Sequence, residues 1–208
     1  MRIVGHSDFT AFNLALLAKT ARISFAGPMF NPDFTSELST FTYEKFMYAM
    51  SEKATQYHIE KSQKIDQTLN IASDQPALLW GGNLSIITSL LGTPFMPSVK
   101  QLSQGILFIE DINEHPYRIE RMLLQLLHAG YLDQQQAILV GDISGYKLSL
   151  TDNGYDLDSV LNHLRGLISC PILTNLPFGH CRDKLTLPVG GMATLQADKS
   201  GYRLMISR

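Results

Sequence analysis

Short apolar runs alternate with segments of helical periodicity along most of the chain. In the first quarter, this pattern predicts strands at 2–4 and 22–25, a helix that begins at residue 9 and a helix over 37–52. From residue 77 on, the pattern predicts strands at 78–80, 105–109, 137–140, 172–173, 185–187, 193–195 and 202–205, and helices over 84–91, 116–129 and 157–167. Strands that alternate with helices are typical of the α/β class, and the extended C-terminal end favours a mixed sheet there.

One stretch, over 53–76, has a different character. It is rich in Gln, Lys, Ser and Asp, and its hydrophobic periodicity is weak. Such a segment is typical of a connection between folded units. The sequence therefore predicts an N-terminal unit over 1–53, a linker over 54–76 and a C-terminal unit over 77–208.

Composition narrows the classes of function. Of the 208 residues, 45% are hydrophobic and 17% are charged, which is enough apolar material for a sizeable core. The net charge of -2 does not supply the basic excess that nucleic-acid binding needs. No apolar run approaches the roughly 20 residues that span a bilayer, and the N-terminus turns polar too early for a signal peptide. We therefore expect a cytoplasmic protein. The count of two cysteines, Cys170 and Cys181, leaves a disulfide open, but a reducing compartment favours two free thiols.

The first candidate for chemistry is the turn Gly5-His6-Ser7-Asp8, which joins a predicted strand to a predicted helix. A serine there is exposed at the positive end of the helix, and the following amide, that of Asp8, can stabilise an oxyanion. The alternative is an ordinary helix cap.

Two further candidates are Glu110 and His180. Glu110 ends an apolar strand, where carboxylates often line sites in α/β folds, although they also cap loops. His180 follows a flexible glycine and is either a general base or a surface residue. The other histidines show no metal-ligand spacing, so the sequence predicts no metal site.

Binding groups are less clearly marked. Gly82 and Asn83 open a helix after a strand, where backbone amides can hold an anion, but a tight turn explains the glycines equally well. Arg118 lies in the helix after Glu110 and faces either the site or solvent.

Taken together, these segments resemble the LD-carboxypeptidase family, also called muramoyl-tetrapeptide carboxypeptidases. The likeness spans nearly the whole chain in one order, except for 53–76. It is carried by the stretches GHSDFTA (5–11), FAGPM (25–29), LWGGNL (79–84), GTPFMP (92–97), GILFIED (105–111), PYRIERM (116–122), FGH (178–180) and LPVG (187–190).

The resemblance implies a Ser-Glu-His triad of Ser7, Glu110 and His180, with the Asp8 amide as an oxyanion donor and no metal or cofactor. It also implies that the serine ends a flavodoxin-like first domain, while the glutamate and histidine come from a second domain across a cleft. The implied reaction releases D-alanine from a murein tetrapeptide. The terminal carboxylate would be bound by Arg118, Gly82 and Asn83. Members of the family are often dimeric, so the resemblance also implies a homodimer.

This chain departs from the family pattern at its start. Family members have several βα units before the serine, including a second oxyanion amide, whereas this sequence begins just before Ser7. We therefore expect little hydrolysis, and a poorly ordered N-terminal segment built on a two-stranded remnant. Two alternatives remain open: a microcin C immunity-type carboxypeptidase and an inactive remnant that serves only as a binding module.

Overall fold

The computed structural model describes residues 1–31, 33–35, 38–60 and 71–207, and for 71–74 it describes the backbone alone. The strands are β1 (Val4–Gly5), β2 (Ser24–Ala26), β3 (Ala54–Glu60), β4 (Ile71–Asn83), β5 (Ile106–Ile112), β6 (Ala137–Ser144), β7 (Ile172–Leu173), β8 (Leu187–Val189), β9 (Gly191–Ala197) and β10 (Gly201–Ser207). The α-helices are α1 (Thr10–Thr20), α2 (Thr40–Ser51), α3 (Leu84–Ser89), α4 (Val99–Leu102), α5 (Pro116–His128) and α6 (Leu157–Leu167). The alternation of strands and helices confirms the predicted α/β class.

A seven-stranded mixed sheet organises the larger part of the molecule, with the strand order β3-β10-β9-β4-β5-β6-β7. Strands β4 to β7 run parallel, whereas β9, β10 and β3 are joined by antiparallel pairing. The six residues 106–111 of β5 are all buried, as expected for a parallel strand that is covered on both faces. This arrangement confirms the mixed sheet that the extended C-terminal end predicted.

The helices beside this sheet follow from their sequences. Helix α5 begins with Pro116, whose missing N–H costs nothing at a first turn, and it buries Ile119, Leu123 and Leu126 along one face. Helix α6 is capped by Asp156, which accepts a hydrogen bond from the Ser159 amide at 2.9 Å. No helix in the described ranges combines the length and apolarity needed to cross a bilayer.

A second, smaller sheet forms near the N-terminus in the order β1-β2-β8. Strands β1 and β2 are parallel, and β8 joins β2 in antiparallel register from far along the chain. The expectation of a two-stranded remnant is therefore wrong. Leu14 of α1 and Phe25 of β2 are buried, because β8 covers the open side of β2 and α1 packs against β2 and β4.

The stretch over 53–76 is not an irregular connection where the structure describes it. Residues 54–60 form β3, which alternates exposed and buried positions and pairs with β10 along its whole length. Residues 71–76 belong to β4, and 61–70 lie outside the described residues. A half-buried strand can be almost as polar as a linker, which explains the error. The division into units stays a prediction.

The predicted helix over 37–52 is present but shorter. Helix α2 begins at Thr40, after Ser39, whose side chain accepts a hydrogen bond from the Thr42 amide. Glu37, the predicted first residue, lies outside the described residues. The Ser39 cap ends the extended segment and fixes where the helix starts.

Candidate active site

Ser7 lies in a sharp turn between β1 and α1. Its φ of 56° is in the left-handed region, which non-glycine residues rarely adopt and which is often found at functional sites. The turn continues as a short 3-10 helix, and the Phe9 amide donates to the His6 carbonyl at 3.1 Å. Only glycine fits at position 5, because a Cβ there would lie 2.1 Å from the Phe9 ring. The local sequence thus presents Ser7 at the start of a helix.

Glu110 and His180 form a hydrogen-bonded pair at the carboxyl end of the large sheet. His180 Nδ1 lies 2.8 Å from Glu110 Oε2, and the Glu110 side chain is fully buried at the end of β5. The His180 side chain is 19% exposed, so its ring is reachable from solvent. The sequence predicted both residues, and the structure brings them together across 70 positions of chain.

A glycine allows this pair to form. Gly179 has a φ of 131°, and a Cβ there would lie 2.8 Å from Asp142 Cβ and 3.1 Å from Glu110 Cβ. The loop that carries His180 therefore passes between two carboxylate side chains at a distance that only glycine permits.

The pKa of Glu110 reflects its burial. Desolvation raises the pKa of this carboxyl, and the charge and hydrogen bond of His180 act in the opposite direction, as does Asn83. Glu110 Oε1 has no hydrogen-bond partner within the described part of the chain. Glu110 is therefore a desolvated carboxyl, one oxygen of which is held by His180.

His6 connects the Ser7 turn to this pair. Its ring centroid lies 4.7 Å from that of His180 and 5.6 Å from that of Phe178. Burial lowers the pKa of His6 to about 3, helped by the nearby charges of Lys184 and His180, so His6 is neutral near pH 7. Because His6 precedes Ser7 directly, its packing places the Ser7 turn beside His180.

A buried lysine lies near this cluster. Lys184 Nζ forms an ion pair with Asp33 Oδ1 at 2.8 Å, and the side chains are 5% and 15% exposed. Asp33 also accepts from the Met29 amide. The contact ties the segment after β2 to the loop after His180. Sequence reasoning assigned no role to His6 or Lys184: the HSD turn marked His6 only as a neighbour of Ser7, and nothing marked Lys184.

The groups that were predicted to bind the terminal carboxylate of the substrate make other contacts in the structure. The backbone N–H of Asn83 donates a hydrogen bond to Thr10 Oγ1 at 3.0 Å, so this N–H is not available to hold a substrate anion. A Cβ on Gly82 would lie 2.3 Å from the same hydroxyl, which gives the glycine a packing reason. Arg118 is exposed and hydrogen-bonds Glu114 one turn earlier on the chain. The role of Arg118 stays a prediction.

The Asn83 side chain has a structural task. It caps α3 by accepting from the Ile86 amide at 3.1 Å, and it also reaches the buried Asp111. Asp111 accepts from the Ser85 amide at 2.8 Å, and burial raises the pKa of its carboxyl. These contacts join the ends of β4 and β5 and thereby fix the strand end that carries Glu110.

Neither cysteine has the properties of a nucleophile. Both are free, as expected from the sequence. Burial raises the pKa of Cys170 to about 12 and that of Cys181 to about 11, so neither is a thiolate near pH 7.

Within the described residues, the side chains grouped closely enough to hold a metal ion are those of His6, Glu110 and His180.

The structure thus has a serine at a strand-to-helix turn, and the residue before it packs on a histidine that is hydrogen-bonded to a buried glutamate. Comparison with known proteins identifies the family. Residues 77–195 match the LD-carboxypeptidase C-terminal domain, and the chain belongs to this family. The resemblance that the sequence motifs indicated is thereby confirmed.

Individual relatives agree with this placement. The probable murein peptide carboxypeptidase of Bacillus subtilis is 32% identical over 92% of this chain, and the match spans 58% of that protein. The crystal structure of muramoyltetrapeptide carboxypeptidase from Oxalobacter formigenes superposes with a TM-score of 0.89 at 45% identity, covering 99% of this chain and 67% of the other. The structure of MccF in complex with glutamyl sulfamoyl guanosine reaches a TM-score of 0.77 at 24% identity, which shows a shared fold.

Proposed function

We propose that this chain is a serine-type LD-carboxypeptidase that releases the terminal D-alanine of a murein tetrapeptide, as in peptidoglycan recycling. The observation that carries the proposal is the buried 2.8 Å pair of Glu110 and His180, packed through His6 against the turn of Ser7. Family membership and the murein names of two relatives support the same reaction.

The acylation half-reaction follows from the pair. With the Nδ1 proton of His180 held by Glu110, Nε2 is the free base that takes the proton of Ser7 as Oγ attacks the scissile carbonyl. Glu110 stabilises the imidazolium, and the Asp8 amide, in the first turn of its helix where N–H groups lack intrahelical acceptors, donates to the oxyanion. His180 then gives its proton to the leaving amino group of D-alanine.

Deacylation uses the same groups in reverse. His180 takes a proton from water, the resulting hydroxide attacks the acyl-enzyme, and the proton returns to Ser7 Oγ as the peptide acid leaves. A neutral His6 beside His180 adds no positive charge that would oppose the imidazolium, since its pKa is lowered to about 3. The low dielectric around Glu110 strengthens its attraction to the imidazolium.

The proposal extends to the cellular setting. The absence of a basic excess is consistent with a small peptide substrate rather than nucleic acid. A cytoplasmic location and a homodimer are part of the proposal through the family resemblance. Arg118 is the candidate for the terminal carboxylate, provided that substrate displaces Glu114 from its guanidinium.

A second candidate function is cleavage of an acyl-sulfamoyl nucleotide, as in microcin C immunity. It is favoured by the shared fold with MccF, for which complexes with aspartyl sulfamoyl adenosine and glutamyl sulfamoyl guanosine exist. The identity to the muramoyltetrapeptide carboxypeptidase, 45% against 24%, favours the murein substrate.

The test is D-alanine release from a murein tetrapeptide by the purified chain, with aspartyl sulfamoyl adenosine as the competing substrate. We expect slow D-alanine release, in line with the little hydrolysis expected from the sequence, and none above the blank by Ser7→Ala, because loss of the nucleophile costs several orders of magnitude in rate. A far-UV spectrum should show Ser7→Ala folded. Equal rates for the two proteins would overturn the serine mechanism, and hydrolysis of the nucleotide alone would overturn the substrate.

A further inference from the structure

Three metal-ligating side chains converge at the site from distant parts of the sequence. His6, Glu110 and His180 each offer one donor atom, and these atoms lie within 4.8 Å of one another. The three residues come from the turn after β1, the end of β5 and the loop before β8, so no ligand spacing in the sequence could reveal them. Two imidazoles and one carboxylate are a donor set that Zn²⁺ commonly takes in proteins.

The hydrogen-bonding state of these residues points to a missing partner. His6 is 5% exposed, and within the described ranges its ring nitrogens form no hydrogen bond of ordinary geometry, only a weaker interaction with the backbone of Gly179. Glu110 is fully buried, and its Oε1 also forms no hydrogen bond of ordinary geometry there, although the Asn83 side chain interacts with the carboxyl. Buried polar atoms are satisfied in the great majority of native structures, and an exception calls for a water, an ion or a functional reason.

We propose that His6, Glu110 and His180 form a binding site for Zn²⁺ that is inhibitory rather than catalytic. The ion would take one ring nitrogen of each histidine and one oxygen of Glu110, and would satisfy buried atoms that the unliganded protein leaves open. His180 can then no longer accept the proton of Ser7, so hydrolysis stops until the ion leaves.

The geometry allows this with small movements. Zn²⁺ holds nitrogen and oxygen donors at roughly 2.0–2.2 Å, which in a tetrahedron places them about 3.3 Å apart. Donors within 4.8 Å of one another therefore have to approach by at most about 1.5 Å. The partly exposed ring of His180 provides the route of entry, and a solvent water can complete the coordination.

A comparison inside the molecule defines the control. His163 Nδ1 lies 2.8 Å from Glu120 Oε1, the same distance as in the His180–Glu110 pair, but His163 is half exposed and, among the described residues, belongs to no group of three metal-ligating side chains. A histidine and a carboxylate alone supply two donors, which hold Zn²⁺ weakly. The third donor, His6, is what distinguishes the proposed site.

The experiment is equilibrium dialysis of the chain against Zn²⁺ with elemental analysis, supported by the visible absorption of added Co²⁺. We expect one tightly bound ion per chain. His6→Phe, which keeps a ring but removes both donors, should lower the affinity by ~10-fold or more. His163→Phe should bind as the wild type does. Unchanged affinity in His6→Phe, or no tight ion in the wild type, would overturn the proposal.

A second measurement does not depend on the variants. In imidazole ¹H–¹⁵N spectra of the wild-type chain, the first equivalent of Zn²⁺ should shift the ring signals of His6 and His180 before those of His58 and His128. Shifts confined to the other histidines would count against the site even if His6→Phe failed to fold. Neither measurement requires turnover, so a failure of the proposed carboxypeptidase activity is distinguishable from a failure of this inference.

Discussion

The two sheets support the two halves of the candidate site in unequal ways. Glu110 lies in β5, near the middle of seven strands, where Leu107, Phe108 and Ile109 are fully buried. Ser7 follows β1, a two-residue strand at the edge of three, in which both residues are only half-buried. The glutamate of the proposed acid-base pair therefore lies in a fully buried strand, and the proposed nucleophile follows a half-buried one.

This difference shows what holds Ser7 in place. With so little strand pairing at β1, its position depends on contacts from the larger part: β8 beside β2, Thr10 against the Asn83 amide, and His6 against His180. The second contact reaches Asn83, which lies opposite Glu110 in the β4–β5 register, and the third reaches His180 itself. Catalytic geometry and the docking of the N-terminal segment should therefore fail together.

The largest effect should come from separating Glu110 from His180. Glu110→Gln keeps the shape but cannot stabilise an imidazolium and favours the wrong tautomer, so D-alanine release should slow by up to about 10⁴-fold. His180→Ala should be comparably severe. The double variant should be little worse than either single variant, because the residues act as a unit. Rates that multiply in the double variant would show that the two do not share a mechanism.

A pair of core substitutions compares the sheets directly. Phe108→Ala should lower the free energy of unfolding by about 3–5 kcal/mol, since it empties a fully buried site on β5. Val4→Ala on the half-buried β1 should cost about 1 kcal/mol or less. Urea denaturation measures both. Phe108 also packs edge-to-face on Phe178, with centroids 5.0 Å apart, so its loss should loosen the loop of His180 as well. Equal costs at the two positions would contradict the comparison.

The sequence predicted the central parallel strands and the long amphipathic helices because their patterns are local. Helix 157–167 has the predicted bounds, and the strand predicted at 105–109 is β5, one to three residues displaced at its ends. Strand β3 was missed because most of its exposed positions are polar and only every second residue is buried. Its pairing partner, β10, lies about 145 positions later in the sequence, and no local pattern reveals this pairing.

The site shows the same limit. Ser7, Glu110 and His180 each had a local signal, and the family resemblance joined them before any geometry was known. His6 and Lys184 are important through burial and through neighbours from other segments, which a single sequence does not show. The sequence also did not show that the backbone N–H of Asn83 is already hydrogen-bonded, because its acceptor, Thr10, lies 73 positions away.

A smaller effect than that of Phe108→Ala tests His6, the residue that lies between the two halves of the site. Its pKa is lowered from 6.5 to about 3 by burial, so between these values the unfolded chain binds a proton that the folded chain does not. The contribution of His6 to stability is therefore present above pH 6.5 and is lost as the pH falls, by about 2 kcal/mol at pH 5. Glu110, whose pKa is raised, acts in the opposite direction and is present in every variant compared. Urea unfolding at pH 7 and pH 5 should show that His6→Phe reduces the difference between the two values by about 2 kcal/mol, whereas His128→Phe, at an exposed position, should leave it as in the wild type. If His6→Phe kept the wild-type difference, His6 would be protonated freely in the folded state and could not be the desolvated contact that joins the Ser7 turn to His180.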